Sequence, residues 1–336
     1  MENVHTVSDL KQMQSLPLEA KIKLSQERIR AWYEHWEGEV YVLFSGGKDS
    51  TVLLDLVRKM YPDTPAVFVD TGLEYPELRE FVKSVENVTW VRPKKNFRQV
   101  IEEYGYPVIS KEVAKVVKDA RSAIQKGNEN SYALAQLNGT RKNPKTGGAS
   151  SFNMVKWKFL LNAPFKISAS CCDVMKKRTT HNYEKETGKK GIVGTMADES
   201  RLRKTQWLKY GCNVFEGKKQ ISKPLSFWTE QDIFEYILKY GLPYASVYGD
   251  IVQDDEGKYY TTGCDRTGCV FCMFGCHLEK EPNRFQRLKI THPKLWQYCM
   301  KPWNEGGLGM AEVLDYISVD YGKEEEKENE QITNSD

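Results

Sequence analysis

Residues 41–54 read YVLFSGGKDSTVLL, an apolar run, a two-glycine turn and a second apolar run. The first run, extended to GEVYVLF, is predicted as a strand ending at Phe44. The second, TVLLDLVRKM, is predicted as a helix that Asp49 or Ser50 begins. Gly46 and Gly47 allow a tight turn and close backbone approach to a ligand. The amides and positive end of the helix then face a phosphate. Lys48 adds a point charge at the same spot, and the hydroxyls of Ser45 and Ser50 can donate to phosphate oxygens. A lone Gly-Gly pair reads more simply as a capped turn, but the six-residue word SGGKDS is less generic. It matches neither GxxxxGK[ST] nor GxGxxG, so it is neither a Walker loop nor a dinucleotide fingerprint.

Outward from this loop, TPAVFVD, VTWVRP and later KKGIVGT are further short apolar strands with helical stretches between them. That alternation predicts a doubly wound parallel α/β sheet with ligands at the carboxyl ends of its strands. Upstream, Leu18, Ile22, Ile29, Trp32, Tyr33 and Trp36 recur at helical spacing, giving an N-terminal helical segment over 1–36. The α/β domain is placed at 37–245. It carries a basic, mostly helical insertion at about 110–166, interrupted by the turn-rich loop NGTRKNPKTGGASS. Beyond Pro224, Thr229 and Asp232 form a variant capping box and Gly241 stops the helix. A cysteine-rich region is expected at 246–320 and a disordered acidic tail at 321–336.

The 336 residues are 40 % hydrophobic and 12 % aromatic, enough to bury a sizeable core. Net charge is +3, but the tail carries −4, so residues 1–320 carry +7, a balance suited to anionic ligands or to a solvated surface. No stretch is apolar enough to cross a bilayer and no signal-like run opens the chain, so the cytoplasm is the expected location. In that reducing compartment the eight cysteines read as metal-binding or catalytic rather than as disulfides.

Spacing alone groups Cys264, Cys269, Cys272 and Cys276, four thiols able to hold zinc or an iron-sulfur cluster. Far upstream, SASCCDVMKKR sets Cys171 beside Cys172, with Lys176, Lys177 and Arg178 following as cations that favour thiolate. Cys212 and Cys299 sit in hydrophobic surroundings and read as inert core thiols. His181 and His277 lie near cysteines as single histidines in polar segments.

SGGKDS resembles the phosphate loop of the PP-loop ATP-pyrophosphatase superfamily, and within it that of the phosphoadenosine phosphosulfate (PAPS)/adenylyl-sulfate reductase family. The resemblance continues through VDTGLEYPE, with Asp70, Thr71 and Gly72. GTMADESRLR follows, with Glu199, Ser200, Arg201 and Arg203, and then KPLSFWTEQDIFEYI, with Lys223, Trp228 and Asp232. It implies an adenine nucleotide alpha hydrolase-like fold. The nucleotide would contact Ser45, Gly46, Gly47, Lys48, Asp49, Ser50, Asp70, Thr71 and Gly72. Glu199, Ser200, Arg201 and Arg203 would lie near its phosphates or sulfate. Arginines serve there as bidentate forks, and a carboxylate such as Asp70 is available for Mg²⁺. For Trp228 and Asp232 the structural reading, core and cap, is the simpler one.

Family members that carry a [4Fe-4S] centre have a Cys-Cys pair and, some eighty or more residues later, Cys-x-x-Cys. Here 96 residues separate Cys172 from Cys269. The resemblance therefore implies a cluster on Cys171, Cys172, Cys269 and Cys272, against the local set of Cys264, Cys269, Cys272 and Cys276 or a zinc ion. A reductase of this family attacks the sulfate sulfur of adenylyl sulfate or PAPS with a thiolate, and thioredoxin or a similar donor releases sulfite. Its attacking cysteine lies in a C-terminal Cys-Gly-(Leu/Ile)-His segment. No cysteine follows Cys299 here, and GCHLE leaves Cys276 as a weak candidate. The second reading is an ATP-dependent sulfurtransferase like the DNA phosphorothioation enzymes. A cysteine desulfurase would then be a sulfur source, and Arg141, Lys142 and Lys145 a place for nucleic-acid phosphates. The third is a non-catalytic nucleotide or zinc module.

Overall fold

The apolar runs that flank SGGKDS become β1 (Val40–Leu43) and the helix Lys48–Met60. A computed structural model describes residues 3–217 and 220–323. From Glu324 on, the tail expected to be disordered lies outside the described residues. The other strands of the six-stranded sheet are β2 (Ala66–Val69), β3 (Val88–Val91), β4 (Lys190–Val193), β5 (Asn213–Val214) and β6 (Ile221–Ser222).

Their order is β3-β2-β1-β4-β6-β5, and every pairing is parallel except that of β5 with β6. Val42 lies opposite Ala66 on one side and Ile192 on the other. The chain therefore winds outward from β1 to β3, then returns to β4 on the opposite flank of β1. That reversal makes the β1/β4 boundary the topological switch point, where an α/β sheet opens a crevice beyond its carboxyl ends.

The central strands β1 and β2 are apolar throughout because they are covered on both faces: Val40, Val42 and Ala66 are fully buried, as is Ile192 in β4. The helix Lys48–Met60 buries Val52, Leu53, Leu56 and Val57 against this core, at about 1.5–3 kcal/mol for each large aliphatic group. The N-terminal segment is two helices, Val7–Gln14 and Leu18–His35, and the second buries Ile22, Ile29 and Trp32. The helix Glu230–Tyr240 starts on the expected box: Thr229 Oγ1 accepts from the Asp232 amide, and Asp232 accepts from the Thr229 amide. Asp232 is also held by Lys21 Nζ at 2.7 Å to each oxygen, and Trp228 Nε1 donates to Ser25 Oγ at 2.9 Å. Both residues serve structure, as the simpler reading had it.

The chain divides into two units, Met1–Phe97 with Cys172–Val270, and Arg98–Cys171 with Phe271–Asp336. The sequence expectation had kept the insertion and the cysteine-rich region apart. Instead the insertion, from Arg98, folds together with the C-terminal segment. Tyr106 donates to the Leu308 carbonyl at 2.8 Å, Arg98 to that of Trp303 at 2.9 Å, and the Gly275 amide to the Ile109 carbonyl at 2.8 Å. Within this second unit lie the helices Lys111–Gln125, Tyr132–Asn138, Arg284–Thr291, Pro293–Met300 and Met310–Tyr316, and a 3₁₀ stretch Val155–Asn162. No helix among the described residues is long and apolar enough to cross a membrane.

Candidate functional site

In the first unit β1 runs into Gly46, whose φ of +75° suits glycine. A Cβ there would stand 2.7 Å from Val82 Cγ2 and 2.9 Å from Leu78 Cδ2. The helix begins at Lys48 with Gly47 as its cap, one or two residues earlier than expected, because the Gly47 carbonyl already accepts from the Thr51 amide at 3.0 Å. Gly47 offers no capping side chain, so the positive end of the helix is left to other partners. Ser45 and Ser50 close the loop on itself: the Ser45 amide donates to Ser50 Oγ at 3.2 Å, and the two hydroxyls lie 3.1 Å apart.

The end of β4 meets this loop directly. A Cβ on Gly194 would lie 2.9 Å from the Asp49 carbonyl oxygen, so only glycine admits the approach. Beyond it, a cleft at the carboxyl end of β4 is lined by Thr195, Arg203, Lys223 and Ser226, among others. Ser200 Oγ caps the helix Arg201–Tyr210 by accepting from the Arg203 amide, and Glu199 pairs with the Arg203 guanidinium. The cleft is narrow, with about 10 Å³ of free volume, and its polar groups are engaged: Lys223 Nζ donates to Gln206 Oε1 at 3.0 Å and Ser226 Oγ to the Lys223 carbonyl at 2.6 Å.

Lys48 is buried, and its ammonium reaches the Asp265 carbonyl at 3.2 Å and Glu230 Oε1 at 3.6 Å. It lies over the rings of Phe234 at 4.2 Å and Tyr248 at 4.9 Å. Burial pulls its pKa below the usual lysine value, with Glu230 and Asp49 opposing. Beside it, burial raises the Asp49 carboxyl to about 6, although Lys48, Arg266 and Arg203 favour its charged form. Arg203 is itself lowered by burial, and Arg266 adds to that effect. The Tyr248 and Thr267 hydroxyls bond at 2.6 Å, and burial moves the phenol to about 12. Sequence reading missed Glu230, Tyr248, Asp265, Arg266 and Thr267. The word CDRTGC had contained three of them, but its cysteines drew the reading away.

After β2, Asp70 does not stand free for a magnesium ion as expected. Its Oδ2 accepts from Arg79 at 3.0 Å and Arg92 at 3.1 Å, and two guanidinium groups beside one carboxylate repel a dication. Gly72, at φ +73°, turns the loop, while Glu74 accepts from the Thr71 amide and hydroxyl and from the Leu73 amide. Glu74 also comes within 3.7 Å of Lys176 Nζ. Burial pulls the Lys176 pKa down, but Cys269, Glu74 and Cys172 outweigh it and hold the lysine above its ordinary value. The Val270 amide adds a bond to the Leu73 carbonyl at 2.8 Å. The loop after β2 is thus joined to the segment that carries Cys269.

Cys171 and Cys172 lead into a π-helical turn, Asp173–Lys177, a departure common at functional sites. Of the three cations expected to favour thiolate, Lys176 lies beside Cys269 and Cys172. Lys177 and Arg178 turn instead to Asp173, at 3.9 and 3.1 Å. Among the described residues no three cysteine, histidine or carboxylate side chains are gathered as a ready metal site. Cys276 does not suit an attacking thiol. It is 1 % exposed, its Sγ donates to the Met273 carbonyl at 3.1 Å, and burial pushes its pKa to about 12. Cys212 and Cys299 are buried and likewise shifted upward. His277 packs edge-on to Trp157, and His181 is exposed beside Glu184.

The model of the phosphoadenosine phosphosulfate reductase domain family matches residues 39–151 and 142–273. The chain belongs to this family. It is 26 % identical over 274 residues to an uncharacterized protein of Methanocaldococcus jannaschii, covering 80 % of this chain and 42 % of that one. To the adenosine 5'-phosphosulfate reductase of Staphylococcus epidermidis it is 22 % identical, covering 74 % of this chain and 78 % of that one. Sulfate adenylyltransferase subunit 2 of Rhizobium meliloti is 26 % identical, with 62 % and 60 % covered. The chain thus spans less than half of the first of these relatives.

Proposed function

We propose that the protein is an enzyme of sulfur metabolism that binds an adenine nucleotide, adenylyl sulfate, PAPS or ATP, over the SGGKDS loop. The observation that carries this reading is the meeting of that loop with Gly194 and Arg203 at the switch point between β1 and β4. In this reading the helix end after Gly47 and the cations Arg203 and Lys223 are the groups that would take up the phosphates, with Glu199 and Gln206 giving way to them. Family membership and relatives named for work on activated sulfate support the same reading.

Cys171, Cys172, Cys269 and Cys272 are the residues that would hold a [4Fe-4S] centre. The donor set is the four thiols such a centre takes, and the cation Lys176 beside Cys172 and Cys269 would offset thiolate charge, although among the described residues no three of these side chains are gathered in advance. When bound, such a centre supplies electron-transfer chemistry and a strong local field. The chain's own contribution lies elsewhere: Glu74 holds Lys176, and Thr71 holds Glu74, so the loop after β2 and the thiols keep one register.

A second reading, an ATP-dependent sulfurtransferase, is favoured by the sealed thiol of Cys276, which leaves a sulfite-forming attack without the nucleophile the sequence had suggested. Anaerobic protein given adenylyl sulfate with thioredoxin, or ATP with a sulfur donor, separates the two. Sulfite release supports reduction, and pyrophosphate release supports sulfur transfer. Turnover and binding of neither nucleotide would sink both.

A further inference from the structure

Residues 130–170 contain six cations and no aspartate or glutamate, in a chain whose net charge is only +3. In the same segment, Tyr132, Phe152 and Phe159 are 62 %, 52 % and 41 % exposed. Single exposed apolar groups are ordinary, but open rings gathered among unneutralised cations are a feature with a purpose. The Arg141 guanidinium lies 4.1 Å from the Tyr132 ring centre and 4.8 Å from that of Phe152, so it holds both rings at one place.

The turn-rich loop is pinned beside them. Lys142 bridges to Ala149, the Asn143 amide donates to the Gly148 carbonyl at 2.8 Å, and Asn153 Nδ2 donates to the carbonyls of Gly139 and Arg141. Lys142 and Lys145 are therefore presented on a set turn next to open aromatic faces. Among the described residues neither forms an ion pair, and nor do Lys156 and Lys158.

Phosphates spaced along a strand take up such cations, and unpaired bases stack on such rings whatever their sequence. A duplex hides its base faces, and an acidic peptide leaves the rings unused. We propose that this face of the second unit, centred on Tyr132, Phe152, Lys142 and Lys145, docks single-stranded nucleic acid. The assignment does not depend on which nucleotide the SGGKDS loop takes.

The test is fluorescence anisotropy of a labelled, mixed-sequence single-stranded oligonucleotide with the full chain across a salt series. Binding should weaken with salt. Lys142→Glu with Lys145→Glu should weaken it further and flatten the logarithmic salt slope by about 1.4, or ~0.7 per lost phosphate contact. Tyr132→Ser with Phe152→Ser should weaken binding roughly tenfold or more and leave that slope unchanged. All four side chains are exposed, so unchanged melting temperatures will show that the fold is kept. The proposal is overturned by no binding at low salt, by variants that bind as the parent does, or by a duplex of the same sequence binding equally well. It also falls if polyglutamate displaces the probe as readily as unlabelled oligonucleotide does.

Discussion

Asp49→Asn should make the protein more stable at neutral pH and no more stable in acid. Asp49 sits in the first turn of the helix that follows the glycine loop, where burial raises its carboxyl from 3.8 to about 6. Between those values the folded chain keeps a proton that the unfolded chain has released. Stability therefore falls as pH rises through this window, and the full penalty is present above about 6. Two pKa units correspond to about 3 kcal/mol, at ~1.4 kcal/mol per unit. The positive end of the helix returns up to about 1 kcal/mol to the carboxylate, leaving about 2 kcal/mol that an uncharged, nearly isosteric amide would recover. Urea unfolding followed by tryptophan fluorescence at pH 4 and pH 8 reads the difference, since Trp207 and Trp228 are buried in the same unit. A gain of about 2 kcal/mol at pH 8 that vanishes near pH 4 is expected. A pH-independent difference, or a less stable variant at pH 8, would show that the arginines and Lys48 dominate and that the charge is well accommodated. A destabilising charge kept at the helix end proposed to hold the nucleotide is the usual signature of stability traded for a site.

Lys21→Met leaves the Asp232 charge buried with only its cap bonds, and should destabilise by about 3 kcal/mol or more in the same assay. Lys21→Met with Asp232→Asn should recover part of that loss, and a double variant no better than the single one would refute the pairing. Gly46→Ala must place a methyl group 2.7 Å from Val82 at positive φ, so a loss of about 2–4 kcal/mol is expected, together with weakened nucleotide binding. If calorimetry finds the variant as stable as the parent, the loop adjusts more freely than the packing allows. Cys171→Ser should abolish the absorption near 400 nm that a [4Fe-4S] centre gives at about that wavelength, whereas Cys264→Ser and Cys276→Ser should retain it. The reverse pattern would return the ligands to the local set of four.

The glycine loop, the strand at 40–43 and the capped helix after Thr229 were legible because each is written in local chemistry: an apolar run, a positive-φ residue, a hydroxyl three residues from a carboxylate. The division into units was not legible, since what fixes it is long-range: Tyr106 reaching Leu308 and Arg98 reaching Trp303 are separations of about two hundred residues. At the site, the phosphate word announced Lys48, but nothing local said that its ammonium would be drawn to Glu230 and Asp265. Asp70 looked available for a metal for the same reason. Its partners Arg79 and Arg92 arrive from the following helix and from just past the end of β3, which no word around Asp70 reveals. Cys276 read as a candidate nucleophile on its flanking letters, whereas burial decides its reactivity.

The pairing of β1 with β4 joins residues about 150 positions apart, Val40 with Lys190. At ribosomal rates of roughly 5–20 residues per second, β1 waits about eight to thirty seconds for that neighbour to be made. β2 and β3 are available to it within about the first third of that interval. During synthesis the flank of β1 that later receives β4 is an unpaired apolar edge, the kind of surface that aggregates or recruits chaperones. The crevice proposed to hold the nucleotide is consequently among the last features of the first unit to form, and incomplete chains that stop short of β4 carry the SGGKDS loop without its opposite wall.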